Sequence, residues 1–459
     1  MATTEAQVGS QGPFSVRLLE DTGNGTWRPK TNPEGADNFS EYVQQVVIEE
    51  SIDFPCIRGT MVMIDNADIF NMLMGNELWE IQASTPTLKT PSKYVLQCHA
   101  ITDRIKRDKT NVFTIHLVSP EFLFNEVTNV FGSFKDKPFS DHVKTVITSK
   151  KGDGLQSKKE TFIEATRGNP QFVVPNWRPL DTISWMATKS VRSASGSGTK
   201  PQGAYIFYEN VKGFHFKSLD KMIEEARDKT DCYHYKYQPK RTTEDSAMDT
   251  FTITRLSFPK TYDTLANLRN GTWAGYSMEL NMQDLTRSKM TSAGKDIGFE
   301  SVYYSIDEYY KRMSHLSKRA DVPIDVERNS IASLFSKTPK RVKFGLSGAS
   351  LYTGMSDTVN YKKSNNSNEM NTPELRAYNY MRRYVLEQIQ LQIDVPGNLD
   401  LRCGEGIEID IPATVKSSDR VDLDRVYSGR YLIAGVTHVL NVTNCVSTLM
   451  CYKDYVDKK

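Results

Sequence analysis

The sequence predicts a β-dominated α+β protein containing two related β-barrel-like units, with α/β and polar segments inserted between them. Three observations predict it. Ile389 to Val395 reads Ile, Gln, Leu, Gln, Ile, Asp, Val, a strict period of two that marks a half-buried strand. Two distant stretches share one pattern: GNELWEIQAS, KYVLQCHAIT and VFTIHLVSP near the start, and GEGIEIDIPA, RYLIAGVTHV and VSTLMCYKD at the end. Between them the period changes to that of helices. Internal likeness of this kind decides a fold reading early.

Residues 1–38 are rich in Gly, Thr, Asn and Pro and read as an extended arm, disordered or ordered only against a partner. A first barrel-like unit is expected over 39–122. Its strands run Val46 to Ile48, Cys56 to Ile64, Glu77 to Ala83, Tyr94 to Thr102 and Asn111 to Val118, with a short helix at Ala67 to Met74. The charged stretch Asp103–Thr110 should close a hairpin between the last two strands.

An α/β segment is expected over 123–248. Pro179 suits a first helical position, and Leu180, Ile183, Ala187 and Val191 share one face. A Ser/Gly linker runs from Ser193 to Gly203. Strands at Tyr205 to Tyr208 and Phe214 to Lys217 flank a turn ending at Gly213, and Ser218 caps the helix that follows.

The second barrel-like unit is read as discontinuous, 249–285 plus 386–459. It includes strands at Thr250 to Leu256 and Tyr276 to Met282. At the C-terminal end, Pro396, Gly397 and Asn398 break the strand ending at Val395. Ile407, Ile409 and Ile411 then mark a second strand, and Arg430 to Leu440 with Cys445 to Tyr452 a third and fourth. Tyr94 and Tyr431 are expected at equivalent places in the two units. Residues 286–385 form a polar insertion, loosely packed through 371 and ending in a helix at Thr372 to Glu387.

Charge and motifs exclude several functions. Lys plus Arg is 58 against 56 Asp plus Glu, a net +2 without the basic excess of a nucleic-acid binder. Six dispersed cysteines without a CxxC pair suggest a reduced compartment. The N-terminus lacks a secretory pattern, and no apolar run approaches the ~20 residues that cross a bilayer.

A zinc-spaced Cys/His cluster, a phosphate-cradling loop and a GxSxG elbow are all absent; Gly294–Lys295 is followed by Asp296, and the Gly196 and Gly198 pair lies in the linker. His215 alternates with Phe214 and Phe216 and reads as a surface or interface histidine, and His438 as a hydrogen-bonded wall residue. Cys445 and Cys451 share a strand face as buried thiols. The 42 Tyr and Phe residues read as strand formers and core fillers rather than a sugar-binding groove. Asn24, Asn38, Asn270, Asn365 and Asn441 head glycosylation sequons that have no meaning without secretion. No catalytic, cofactor-binding or metal-binding residue is nominated, and the chain is expected not to be an enzyme.

The order of these segments resembles the central baseplate hub proteins of contractile-tailed bacteriophages, a family related to the hub part of type VI secretion spike proteins. The resemblance is carried by VVPNWRPLDTISWMATKSV with YIFYENVKGFHFKSLDKMI, by TFTITRLSFPKTYDTLANLRNGTWAGYSMELNMQDL, and by IDVPGNLDLRCGEGIEIDIP with SGRYLIAGVTHVLNVTNCVSTLMCYKD. It covers about residue 40 to the end. It implies a homotrimeric adaptor between a six-fold tail tube, or its initiator, above and a three-fold spike protein below, with baseplate wedge proteins beside it. DNA would pass the lumen without specific binding, and no stable membrane insertion is implied. The location would be the virion tail baseplate, assembled in the host cytoplasm. The alternatives are a tail-associated cell-wall hydrolase, an adhesin, or the hub of a phage-derived injection device.

Overall fold

The computed structural model describes residues 14–22, 26–88, 90–193, 202–237, 250–259, 264–271, 274–281, 299–305, 342–347, 372–387, 389–413, 423–424, 426–441 and 444–453. A fourteen-stranded sheet runs through both ends of the chain, and helices and smaller sheets pack beside it.

The first unit contributes β1 (Phe14–Asp21), β2 (Trp27–Pro29), β3 (Val43–Ser51), β4 (Arg58–Asp65), β5 (Leu78–Ala83), β6 (Ser92–Arg107) and β7 (Thr110–Val118). Alternation puts Val46, Ile48, Met61, Met63, Trp79, Ile81, Phe113 and Ile115 on one buried face. The strand expected from Asn111 and the hairpin before it are present: Arg107 pairs with Thr110. Two expectations change here. Ala67 to Met74 holds only a 3-10 turn at Ile69–Met72, whose Ile69 and Phe70 amides donate to the buried Asp65 carboxylate. The arm is in part a strand of the chain itself, because β1 pairs antiparallel with β5 from Phe14–Ala83 to Leu19–Leu78. Val16 and Leu18 then enter the core, an apolar pair hidden in a polar stretch.

The middle segment holds α1 (Pro120–Val127), β8 (Val130–Phe134), α2 (Phe139–Thr148), β9 (Glu160–Ile163), β10 (Phe172–Trp177), α3 (Pro179–Lys189), β11 (Tyr205–Asn210), β12 (Gly213–Ser218) and α4 (Leu219–Asp228). Pro179 opens α3, and Leu180, Ile183 and Ala187 are buried together with Phe139, Phe172 and Phe216. The Ser218 hydroxyl caps α4 by accepting from the Lys221 amide at 3.1 Å. Residues 194–201 of the Ser/Gly linker lie outside the described residues.

The second unit contains β13 (His234–Tyr237), β14 (Thr252–Ile253) and β15 (Arg255–Ser257). After α5 (Thr264–Asn270), β16 (Ala274–Asn281), β17 (Phe299–Ser305), β18 (Val342–Ser347) and α6 (Thr372–Leu386) come β19 (Ile389–Pro396), β20 (Gly406–Asp410), β21 (Gly429–Asn441) and β22 (Cys445–Lys453). Two strands leave their expected segments. β13 pairs with β20 and β14, so it sits in this unit's sheet and not with the α/β segment. β16, expected in the second unit, instead pairs with β17 and β18 from the polar insertion. Short apolar runs do not name their neighbours, and sequence pattern alone could not assign these two. Most of 286–371 lies outside the described residues.

Among the described residues the sheet is not closed into two barrels. Among the described residues no strand pairing joins β1 to β3 in the first unit, where Val16 instead bonds the segment before β3, its carbonyl accepting from the Phe39 amide at 2.7 Å and its amide donating to Asn38 Oδ1 at 3.0 Å. In the second, the β14–β15 segment touches β13 on one flank and β19 on the other. The order β3-β4-β7-β6-β5 in one unit nevertheless repeats as β15-β19-β22-β21-β20 in the other, with every neighbour antiparallel.

Candidate assembly interface

The two units meet along a single seam. β21 uses one edge twice: Gly429 to Leu432 pair with β20, and Gly435 to Asn441 pair with β3 residues Ser51 to Gln45. A bulge at Ala434 separates the two pairings, and its carbonyl accepts from the Ile52 amide at 2.9 Å. At the far end Gln45 Nε2 donates to Asn441 Oδ1 at 3.0 Å. Backbone pairing thus runs through both units and hides the long edge each would otherwise expose.

Buried carboxyl groups hold the α/β segment against this seam. Glu50, in β3, accepts from the Val211 amide at 2.9 Å and the Cys403 amide at 3.2 Å. Burial pushes its carboxyl up to about 8, against the pull of those two amides. Next in chain, Asn210 Nδ2 donates to the Cys403 carbonyl at 3.1 Å. Lys212 and Lys229 donate to Glu405 at 2.7 and 2.6 Å. Burial would raise Glu405, but these two ammonium groups hold it down to about 2.

Glu209 accepts from the Ile57 amide, the Ser119 hydroxyl and Lys159 Nζ, at 3.0, 2.6 and 2.5 Å. Lys159 also reaches Glu121 at 2.6 Å. Burial alone would lower the Lys159 ammonium; the two carboxylates outweigh it and raise it. Farther along, Asp220 takes the fully buried Arg382 at 2.6 Å and the Tyr378 hydroxyl. These carboxylates take their donors from separate chain segments, which suits fixing one element against another.

The side chains singled out in the sequence do not converge. His215 is buried, not on the surface, stacked between Tyr208 and Phe162 at 4.8 and 4.7 Å. Its Nε2 meets Asn210 Oδ1 at 3.0 Å, and burial lowers its pKa to about 3. His438 is a hydrogen-bonded wall residue of β21, with Nε2 donating to the Leu401 carbonyl at 3.3 Å and Nδ1 accepting from Ser447 at 2.9 Å. Burial lowers it to about 4. Cys445 and Cys451 are buried free thiols on the core face of β22.

Tyr94 and Tyr431 are both buried opposite isoleucines, Ile81 and Ile407. Measured from the bulges at His99 and Ala434, however, they differ by one same-face step. Asn38 points inward to the Val16 and Ser40 amides, and Asn441 to Asn444. Among the described residues no three His, Cys, Asp or Glu side chains gather as metal ligands, and no helix is long and apolar enough to cross a membrane. Sequence reasoning missed Glu50 and Glu209 in strands and Asp220 in the first turn of α4, since a carboxylate reads the same in sequence whether it faces water or the core.

No family model and no curated protein matches the chain. Solved structures do. A tail protein from Neisseria meningitidis MC58 superposes with a TM-score of 0.52 at 11 % identity, covering 97 % of both chains. The chain has the fold of this tail protein. The 43 kDa tail protein of prophage MuSo2 from Shewanella oneidensis shares this tail-protein fold with a TM-score of 0.50 at 6 % identity, over 97 % of this chain and all of that one. The tail-protein fold is the one expected from the order of segments in the sequence.

Proposed function

We propose that the protein is a structural hub of a phage tail baseplate, three copies of which join a six-fold tail tube to a three-fold spike. The observation that carries this reading is the repeated strand order β3-β4-β7-β6-β5 and β15-β19-β22-β21-β20 within one chain. Three copies of a chain with two like units present six near-equivalent units to a neighbour above while keeping true three-fold symmetry below. The tail-protein fold supports the location in the virion, with assembly in the host cytoplasm. The buried carboxyl groups support a structural role, since their partners are backbone and side chains of the same chain. On this reading DNA passes the assembly without specific binding, baseplate wedge proteins flank it, and the chain is not an enzyme.

Sedimentation of the full-length protein at micromolar concentration, with and without its spike partner, is expected to give a species of three chains. A monomer throughout that range overturns the reading. The purified protein is also expected to leave bacterial cell-wall suspensions turbid; clearing them would make it a hydrolase.

A further inference from the structure

Lys159, just before β9, brings its Nζ to carboxyl groups from two other elements, Glu209 of β11 at 2.5 Å and Glu121 of α1 at 2.6 Å. Glu209 is 1 % and Glu121 6 % exposed, and the fully buried ring of Phe214 lies 5.5 Å from Nζ. An ammonium and a carboxylate held out of water carry a desolvation cost that a neutral group in their place does not. A primary amine beside a carboxyl group has a reaction that removes this cost, condensation to an amide with release of water.

The two carboxyl groups are placed differently. Glu209 Oε2 accepts from the Ile57 amide at 3.0 Å and from the buried Ser119 hydroxyl at 2.6 Å, while Oε1 accepts from Lys159. Two fixed donors on one oxygen are what a tetrahedral intermediate needs at its oxyanion. Burial holds this carboxyl above the ordinary carboxylate range, which favours the neutral acid that an amine can attack. Glu121 Oε2 touches the same nitrogen, and its Oε1 accepts from the Ser157 hydroxyl at 2.7 Å, which fixes it in the place of a general base. The contact to Oε1 puts Nζ on the order of 3–3.5 Å from the Glu209 carboxyl carbon, the separation of a near-attack geometry.

We propose that Lys159 and Glu209 become joined by an isopeptide bond that the folded chain forms on itself. Glu121 takes one proton from the Nζ ammonium. The freed nitrogen pair attacks Glu209 Cδ, and the carbonyl pair moves onto Oε2 between the Ile57 and Ser119 donors. Glu121 gives its proton to the Oε1 hydroxyl, the Cδ–Oε1 bond breaks with its electron pair, and Oε1 leaves as water. Nζ then passes a second proton to Glu121, leaving a secondary amide and a neutral Glu121 acid. Nothing is oxidised or reduced. Lys159 is 30 % exposed along its side chain, which gives the water a way out. Oε2 becomes the amide carbonyl and keeps both donors, and the bond fastens the start of β9 to β11 across 50 residues of chain. The modification does not depend on the hub reading.

The test is mass spectrometry of the full-length protein, incubated folded and then denatured. Expected is a chain one water lighter than its sequence mass, counted with or without Met1. A peptide map should show the peptide holding Lys159 joined to the one holding Glu209. Lys159→Arg keeps the positive charge without a nucleophilic amine, so its mass should equal that of its sequence. Glu121→Gln, with circular dichroism matched to the parent, removes the proton carrier and should lower the linked fraction at least about tenfold. A parent protein that keeps its full sequence mass overturns the proposal. A link from Lys159 to Glu121 in place of Glu209, or a fully linked Glu121→Gln, overturns the roles given to the two carboxyl groups.

Discussion

At the scale of single residues, the titratable groups buried at the junction pull stability in opposite directions. His438 and His215 are depressed to about 4 and 3, below their unfolded value of 6.5. Their contribution is full above pH 6.5 and is lost as the pH falls, because the unfolded chain takes up protons that the folded chain refuses. Glu50 does the reverse. Raised from 4.5 to about 8, it contributes fully below pH 4.5 and loses that contribution as the pH rises through 8. Thermal unfolding followed from pH 4 to 9 should therefore show a maximum between these limits. Glu50→Gln should cost most near pH 5 and least near pH 9; a cost that grows with pH would show that the folded carboxyl is charged. Glu50→Ala strands two buried amides at about 1–3 kcal/mol each. None of this is legible in the sequence, where Glu49 and Glu50 are neighbours of like type: Glu49 pairs with Arg58 at a half-exposed site, and Glu50 is 2 % exposed.

At the scale of elements, local signals fared well where the chain supplied its own partner. Ser218 caps α4 as its position before Leu219 and Asp220 suggested, and Pro179 starts α3. Ser218→Ala should cost about 1 kcal/mol by denaturant titration, and an unchanged midpoint would make the cap ornamental. Ile48 in β3 is fully buried on the core side of the seam, so Ile48→Ala should cost about 2–5 kcal/mol. Local signals failed where the partner was remote. β1 was hidden in a Gly- and Asn-rich stretch because its two inward residues, Val16 and Leu18, become meaningful only against β5. The same holds for β13 and β16, whose four and eight residues fit either neighbouring sheet by pattern.

At the scale of the whole molecule, the balanced charge of +2 bears on what the assembly does with nucleic acid. Retention of duplex DNA at physiological salt is expected to be no tighter than the ~10⁻⁴–10⁻⁶ M of non-specific binding. Submicromolar, salt-sensitive retention would point to a built DNA site.

By itself the sequence determined that strands dominate, that two stretches of the chain are alike, and that helices interrupt them. These are properties of periodicity and of turn residues, which act over a few neighbours. Only the tertiary structure decided that the two like units share one sheet through β3 and β21, and which carboxylates are buried at the junction. Strand pairing and burial depend on partners nearly four hundred residues away, as Gln45 and Asn441 are, and the pattern of either strand alone does not carry the identity of the other.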